Sequence, residues 1–292
     1  MRSRLLLNLF LLAAAVGLTL FLVYGGKKKP EPVEVTLTAI RPETIDRIRV
    51  VRTGQEELVF EKQSGTWMMQ GPYHLRAGEL RINTMLRLLS AHSYAQYQAG
   101  ATQLSRFRLD QPQVSIEFNH LRVDFGDISP LGDQRYVLVN NTVHILNDAL
   151  FQQLQAPPFF FVDTRLLPQP AEINAVLLPA HAIRRQDGVW TVEPAADVSA
   201  DKIVELVNAW RNADAISVSK YEDAPPHDSV TIELENQDAL EFVIVREPPQ
   251  LILARPDLGI QYHLGDYDAE QMFLKTTTPE KNNGEPSPST VE

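Results

Sequence analysis

The distribution of apolar residues changes character twice along the chain. From Leu5 to Tyr24 it is continuous: LLLNLFLLAAAVGLTLFLVY holds no charge, and only Asn8 and Thr19 interrupt it. At 1.5 Å per residue such a helix spans roughly 30 Å, the thickness of a bilayer's hydrocarbon, and Tyr24 would sit at the interface where aromatic rings are favoured. Beyond Lys27-Lys28-Lys29 the pattern becomes one of short runs. Ile45, Ile48, Val50 and Val51, then Leu58, Val59 and Phe60, read as strands, with Ser64-Gly65 turning the chain ahead of Trp67. Ile82, Met85, Leu86 and Leu89 follow at i, i+3, i+4 and i+7, the spacing of one helical face.

The same succession then recurs. Ile173, Val176, Leu177, Leu178 and Ile183 lead to the turn pair Asp187-Gly188 and to Trp190, so QDGVW repeats QSGTW at an offset of 123 residues. Ile203, Leu206, Val207 and Trp210 repeat the helical stripe, with Ser199 as its N-cap and Asp201 in its first turn. Further on, VSIEF (114–118) corresponds to VTIEL (230–234), LRVDFGD to LEFVIV, and RYVLV with TVHIL to LILA with QYHL. That alignment sets His144 opposite His263. NDALFQQL and YDAEQMF close the two units as short helices. A period this long predicts a duplicated domain rather than a solenoid.

The expected architecture is α+β: an N-terminal transmembrane helix, then two similar units of antiparallel strands and amphipathic helices. The expected boundaries are an anchor over 1–29, a first unit over 30–155, a proline-rich extended connector over 156–170, a second unit over 171–274 and a disordered tail over 275–292. In the connector, Phe159, Phe160 and Phe161 are expected to tuck between the units.

Charge narrows the partners. Before Pro30 there are five basic residues and no acid; the remainder carries 22 basic against 37 acidic residues, a net of −15. Phosphate backbones would be repelled, so nucleic acid is not an expected partner. The absence of cysteine removes disulfides, thiolate catalysis and Cys-ligated zinc. The apolar run is longer than a signal peptide's core, and VYGGKKK makes a poor cleavage site, which favours an uncleaved anchor. Arginines before the span and lysines after it nearly balance; a four-residue head that stays cytoplasmic would place residues 30–292 in the periplasm.

Catalytic motifs are sparse. Asp124-Phe125-Gly126 copies a magnesium-binding tripeptide of protein kinases, without the catalytic loop or the glycine-rich loop that give it meaning. Asp124, Asp127 and Asp133 fall in an expected loop but not at EF-hand spacing, so they read as a solvated turn. The seven histidines (His74, His92, His120, His144, His181, His227 and His263) form no helical i, i+4 pair with an adjacent Glu, as a zinc site would. Trp67 and Trp190 read as the plugs of two small cores. No catalytic, metal or cofactor residue is assigned.

The anchor, the strand–strand–Gly-x-Trp–helix opening, the segment LRVDFGDISPLGDQRYVLVNNTVHIL and the doubled unit resemble the bacterial family catalogued as domain of unknown function 4340, over about residues 36–273. In LEFVIVREPPQ the second unit offers no counterpart to Gly126. The resemblance implies an envelope protein commonly associated with ABC-type export or gliding-motility systems. The expected role is a non-enzymatic, single-pass inner-membrane protein: the bilayer contacts residues 5–24, and a periplasmic body binds a membrane or envelope protein. A hydrolase using a carboxylate pair is the alternative.

Overall fold

A computed structural model describes residues 10, 12–20, 35–98, 100–130, 132–222 and 228–274. Residues 12–20 are helical, and Thr19 Oγ1 donates to Ala15 O at 2.7 Å, satisfying the hydroxyl within the helix itself. Apart from these residues and Phe10, the expected span over Leu5–Tyr24 lies outside the described residues, as does the expected tail over 275–292. No helix among the described residues is long and apolar enough to cross a membrane.

The body is α+β, with two antiparallel sheets and few helices. The first half runs β1 (Arg47–Arg52), β2 (Leu58–Gln63), β3 (Thr66–Gly71), β4 (Leu75–Arg76), α1 (Glu79–Arg87), β5 (Ala95–Gln98), α2 (Ala101–Arg106), β6 (Val114–Phe118), β7 (Leu121–Ile128), β8 (Gln134–Val139), β9 (Thr142–Asn147) and α3 (Ala149–Leu154). Its sheet order is β4-β3-β2-β1-β6-β7-β8-β9-β5. The second half runs β10 (Ile173–Leu177), β11 (Ala182–Gln186), β12 (Val189–Glu193), α4 (Ala200–Asn212), β13 (Ser217–Lys220), β14 (Ser229–Leu234), β15 (Leu240–Arg246), β16 (Ile252–Arg255), β17 (Ile260–His263) and α5 (Asp266–Gln271). Its order is β12-β11-β10-β14-β15-β16-β17-β13. With β4 and α2 set aside, the two halves pass through the same elements in the same sheet positions.

Local chemistry explains most of this. Ser64 and Gly65, like Asp187 and Gly188, all have positive φ, the backbone of the tight turn whose twist matches two paired strands. Each Trp therefore lies on the returning strand of a hairpin. Ile82, Met85 and Leu86 are the buried face of α1, and Ile203, Leu206, Val207 and Trp210 that of α4. Ser199 Oγ accepts from Lys202 N at 3.3 Å, closing the N-terminus of α4. The plug of the second half is Trp210 rather than Trp190. Trp210 is fully buried, lies 5.8 Å from Phe242 between ring centroids, and donates from Nε1 to Met272 O at 2.9 Å. Trp190 is half-buried, whereas Trp67 is buried as expected.

The two edge strands were not legible: AQYQ and SVSK lack a strong apolar alternation. The terminal strand of each sheet is completed in the same way. Ser93 N donates to Val35 O (2.7 Å) and Leu37 N to Ala91 O (2.9 Å) in the first half. Ala215 N donates to Thr164 O (2.9 Å) and Leu166 N to Ala213 O (3.2 Å) in the second.

One difference between the halves has a steric cause. The segment holding α2 has no counterpart among the described residues of the second half, and it folds onto the first sheet over a small separate core. There Leu109 and Val143 are buried, and Phe107 stacks on Tyr136 with centroids 4.1 Å apart. Gly126 makes this approach possible. A Cβ added there would lie 2.3 Å from Phe107 O and 2.9 Å from the Leu109 side chain, while Asp127 N donates to the same Phe107 O at 2.8 Å. β15 contains no glycine.

Gly126→Ala is therefore expected to lift the 101–109 segment off the sheet. Overpacking of this kind costs roughly 1–3 kcal/mol, read as a lower urea midpoint together with faster tryptic cleavage at Arg106 and Arg108. An unchanged midpoint and cleavage rate would refute the steric account.

Candidate functional site

The residues joining the halves are not a free extended connector. A 3-10 turn over Pro158–Phe161 seats the phenylalanines first. Phe161 is buried against Phe60 (5.8 Å between centroids), Phe160 meets it edge-on at 5.2 Å, and Phe159 stacks on Tyr73 at 4.6 Å. The Arg81 guanidinium lies 3.8 Å above the Phe160 ring. Then the backbone bonds to both sides. Gly78 N donates to Phe161 O (2.8 Å) and Asp163 N to Arg76 O (2.9 Å), after which Thr164 and Leu166 pair with Ala215 and Ala213. Further along, Gln169 Nε2 donates to Arg211 O (3.0 Å) and Arg211 Nε to Ala171 O (3.2 Å). Apolar residues of both halves meet in one continuous core.

Asp163 lies at the middle of this seam, and its side chain is only 8% exposed. It accepts from Arg165 N, Nε and Nη2 at 3.2, 3.0 and 2.9 Å, and Arg76 Nε stands 3.5 Å away. A buried carboxylate requires such partners, since desolvation would otherwise favour its neutral form. The same bonds raise the Arg165 guanidinium further above its already high value, with Glu79 and Asp214 adding through space. Burial pushes the nearby Tyr262 phenol up.

Three hollows meet at this cluster. One of about 360 Å³ is bounded by the first turn of α1, Phe159, Phe160, Arg165, Asp214 and the start of β13. A second, of about 380 Å³, takes in Lys62, Trp67, Arg76, Glu79, Asn83 and Arg165. The third, of about 200 Å³, lies between the sheets and is lined by Arg76, Asp163, Leu240, Arg255 and Tyr262. What the arrangement can do chemically is hold a ligand between fixed charges and rings. The acid at its centre faces guanidinium groups rather than a second acid.

Trp67, Phe159 and Phe160 line these hollows, but the aspartates and the two matched histidines singled out in the sequence lie elsewhere. Asp124 and Asp127 are in β7, not in a loop. Asp124 accepts from Ser115 Oγ (2.5 Å) and Arg122 Nε (2.8 Å), and Asp127 stands 3.4 Å from Arg108. Period-2 alternation carried this segment on as strand. Among the described residues no three His, Asp or Glu side chains gather as a metal site would need. His144 and His263 are not equivalent. Tyr94 N donates to Ile145 O and Ile216 N to His263 O, and Ala95 pairs with Ile145 as Ser217 does with His263. Ile145 is thus the counterpart of His263, and the histidines face opposite sides of their sheets.

Each histidine nevertheless meets a serine. Ser93 Oγ donates to Ala95 O at 3.0 Å, which leaves it to accept from His144 Nδ1–H, also at 3.0 Å. Ser219 Oγ lies 2.9 Å from His263 Nε2. Burial holds both imidazoles below their ordinary pKa, and Arg246 adds to this at His263.

A family model described as Domain of unknown function (DUF4340) matches residues 67–237. The chain belongs to this family. The match runs from Trp67 in β3 past β14, so the linker and Asp163 lie within it. The curated proteins and the solved structures searched contain no match to the chain. The DUF4340 description carries no activity, and the functional reading therefore rests on the site. Sequence reasoning had missed Asp163 and Arg165. The available signal was a lone Asp-Thr-Arg inside the apolar, proline-bounded stretch PPFFFVDTRLLP.

Asp163→Asn leaves two guanidinium groups facing a neutral amide. A loss of about 2 kcal/mol is expected, the scale of hydrogen bonds to a charged group; Glu205→Gln at the exposed Lys202–Glu205 pair should leave stability nearly unchanged. Urea unfolding of both variants checks the contrast. The histidines set an acid limit. Their neutral forms are favoured in the folded state, so the unfolded chain takes up protons first as pH falls below about 6.5. Stability should decline from there down to the depressed folded values. Replacing both with Gln should flatten a Tm-against-pH profile in that window.

Proposed function

We propose that the protein is a non-catalytic accessory component of a bacterial envelope or ABC-type export system. In this reading residues 5–24 hold it in the inner membrane, residues 30–292 lie in the periplasm, and the two-sheet body binds a membrane or envelope protein. The observation that carries the reading is the seam: one linker bonded to both sheets, with hollows of about 200–380 Å³ around Asp163 and the guanidinium groups of Arg165 and Arg76. Such a surface is suited to steady binding between preorganised faces. A hydrolase with a carboxylate pair needs two acids placed about one bond, whereas Asp163 is bonded to Arg165 and stands 3.5 Å from Arg76.

The test is in-cell crosslinking of the full-length protein beside a variant whose residues 5–24 are replaced by an unrelated transmembrane helix. Capture of the same envelope proteins by both is the expected result. Capture of nothing above background would remove the accessory role, and a reporter fused after Glu292 that works only in the cytoplasm would reverse the orientation.

A further inference from the structure

We propose that the hollow between the N-terminus of α4 and the end of α5 is a docking seat for a segment of the partner protein, one that carries bulky apolar residues followed by a Lys or Arg. This rests on the accessory role above and specifies where the partner binds and what it presents.

The duplication shows what such a seat holds. Gly78 is the N-cap of α1 and Ser199 that of α4. Counting from these caps sets Arg76 against Asp197, Ala77 against Val198 and Arg81 against Lys202. In the first half the linker covers these positions. Val162 bridges to Ala77, and Gly78 N donates to Phe161 O at 2.8 Å. Asp163 stands 3.5 Å from Arg76, and the Arg81 guanidinium lies 3.8 Å above the Phe160 ring. In the second half the same positions border a hollow of about 540 Å³, larger than any of the three at the seam. Asp197, Val198 and Lys202 stand on one side of it, Phe273 and Leu274 on the other.

The chain carries no second copy of the piece that fills the first seat. From α3 the linker continues as PPFFFVD, whereas residues 275–292, which follow α5, contain no aromatic residue and no Leu, Ile or Met. Val198, Phe273 and Leu274 are only half-buried. Apolar groups gathered around one open hollow mark an interaction site, and the first seat shows that aromatic and β-branched side chains fill a site of this build.

Charge sets the sign of the incoming segment. In the first seat the occupant brings an acid, Asp163, to Arg76. In the second, Asp197 takes the place of Arg76; it is exposed and closes no ion pair among the described residues. Lys202, in the place of Arg81, is engaged by Glu205 at 2.5 Å. The complement therefore keeps the apolar run and carries a base where the linker has Asp163, and the excess of acid over the body favours its approach.

Two labelled peptides copying residues 157–164 probe the seat, one with the natural sequence PPFFFVDT and one with Lys in place of Asp163. Fluorescence anisotropy would titrate each against the purified full-length protein and its Asp197→Lys variant. Asp197 is exposed, so its replacement leaves the fold in place. The Lys peptide should bind about tenfold more tightly than the natural one, and Asp197→Lys should reverse that order. Equal binding of the two peptides, binding of neither, or an order unchanged by Asp197→Lys would overturn the seat. In cells, the full-length protein would carry benzoylphenylalanine at Val198, and its adducts would be sequenced. Adducts in one partner segment with an apolar run and a base are expected. Adducts within residues 275–292 of the same chain would assign the hollow to the protein's own C-terminal residues and overturn a partner there. No adduct from Val198, while the crosslinking described above still captures envelope proteins, would overturn the seat and leave the accessory role standing. Capture in neither experiment would count against both.

Discussion

Between Phe161 and Leu166 the backbone bonds first to the edge of one sheet and then to the edge of the other, with Asp163 between the two sets of bonds. These few residues convert a chain with two sheets into one body. An extended peptide can do this because its N–H and C=O groups point to alternate sides. A linker that satisfied only one side would leave buried polar groups on the other, at a cost comparable to a lost hydrogen bond each. The carboxylate of Asp163 serves the same end: Arg76 belongs to the first sheet, Arg165 to the linker, and the acid ties them. The three hollows are where two curved sheets, meeting along one narrow seam, cannot fill the space between them.

The doubling of the fold extends to this seam. Val35–Leu37 lies against the leading end of β5 as Thr164–Leu166 lies against that of β13. The second half thus takes its first strand from the linker, which at the same point still belongs to the edge of the first half. A join made this way needs no separate interface of domain size. It also leaves β13 covered at its leading end and packed against the 3-10 turn Pro158–Phe161.

Where the halves diverge, the physical reason is close at hand. The first sheet carries an extra outer layer, the α2 segment, and this is admissible only because Gly126 lets a backbone carbonyl come within hydrogen-bond reach of the sheet. Among the described residues the second sheet lacks the layer, and it carries valine and isoleucine along β15. One half therefore thickens its own core.

By itself the sequence determined what depends on neighbouring residues. The Ser64-Gly65 and Asp187-Gly188 turns, the stripes of α1 and α4, the Ser199 cap, the α+β class and the recurrence of one element order are all written in local spacing, because dihedral preference and periodicity act over a few residues. Tertiary structure decided what depends on distant chain. AQYQ and SVSK became strands only through their partners. The His144–His263 equivalence failed by one position because strand pairing, not residue identity, sets the register: Ile145 stands opposite Ala95 as His263 stands opposite Ser217. In a sheet one position is a change of face. Trp210 rather than Trp190 filled the second core because helix packing placed it there. Asp163 looked like a stray charge among prolines and phenylalanines; its role as the tie of the seam required Arg76, far back in the chain, to be folded against it.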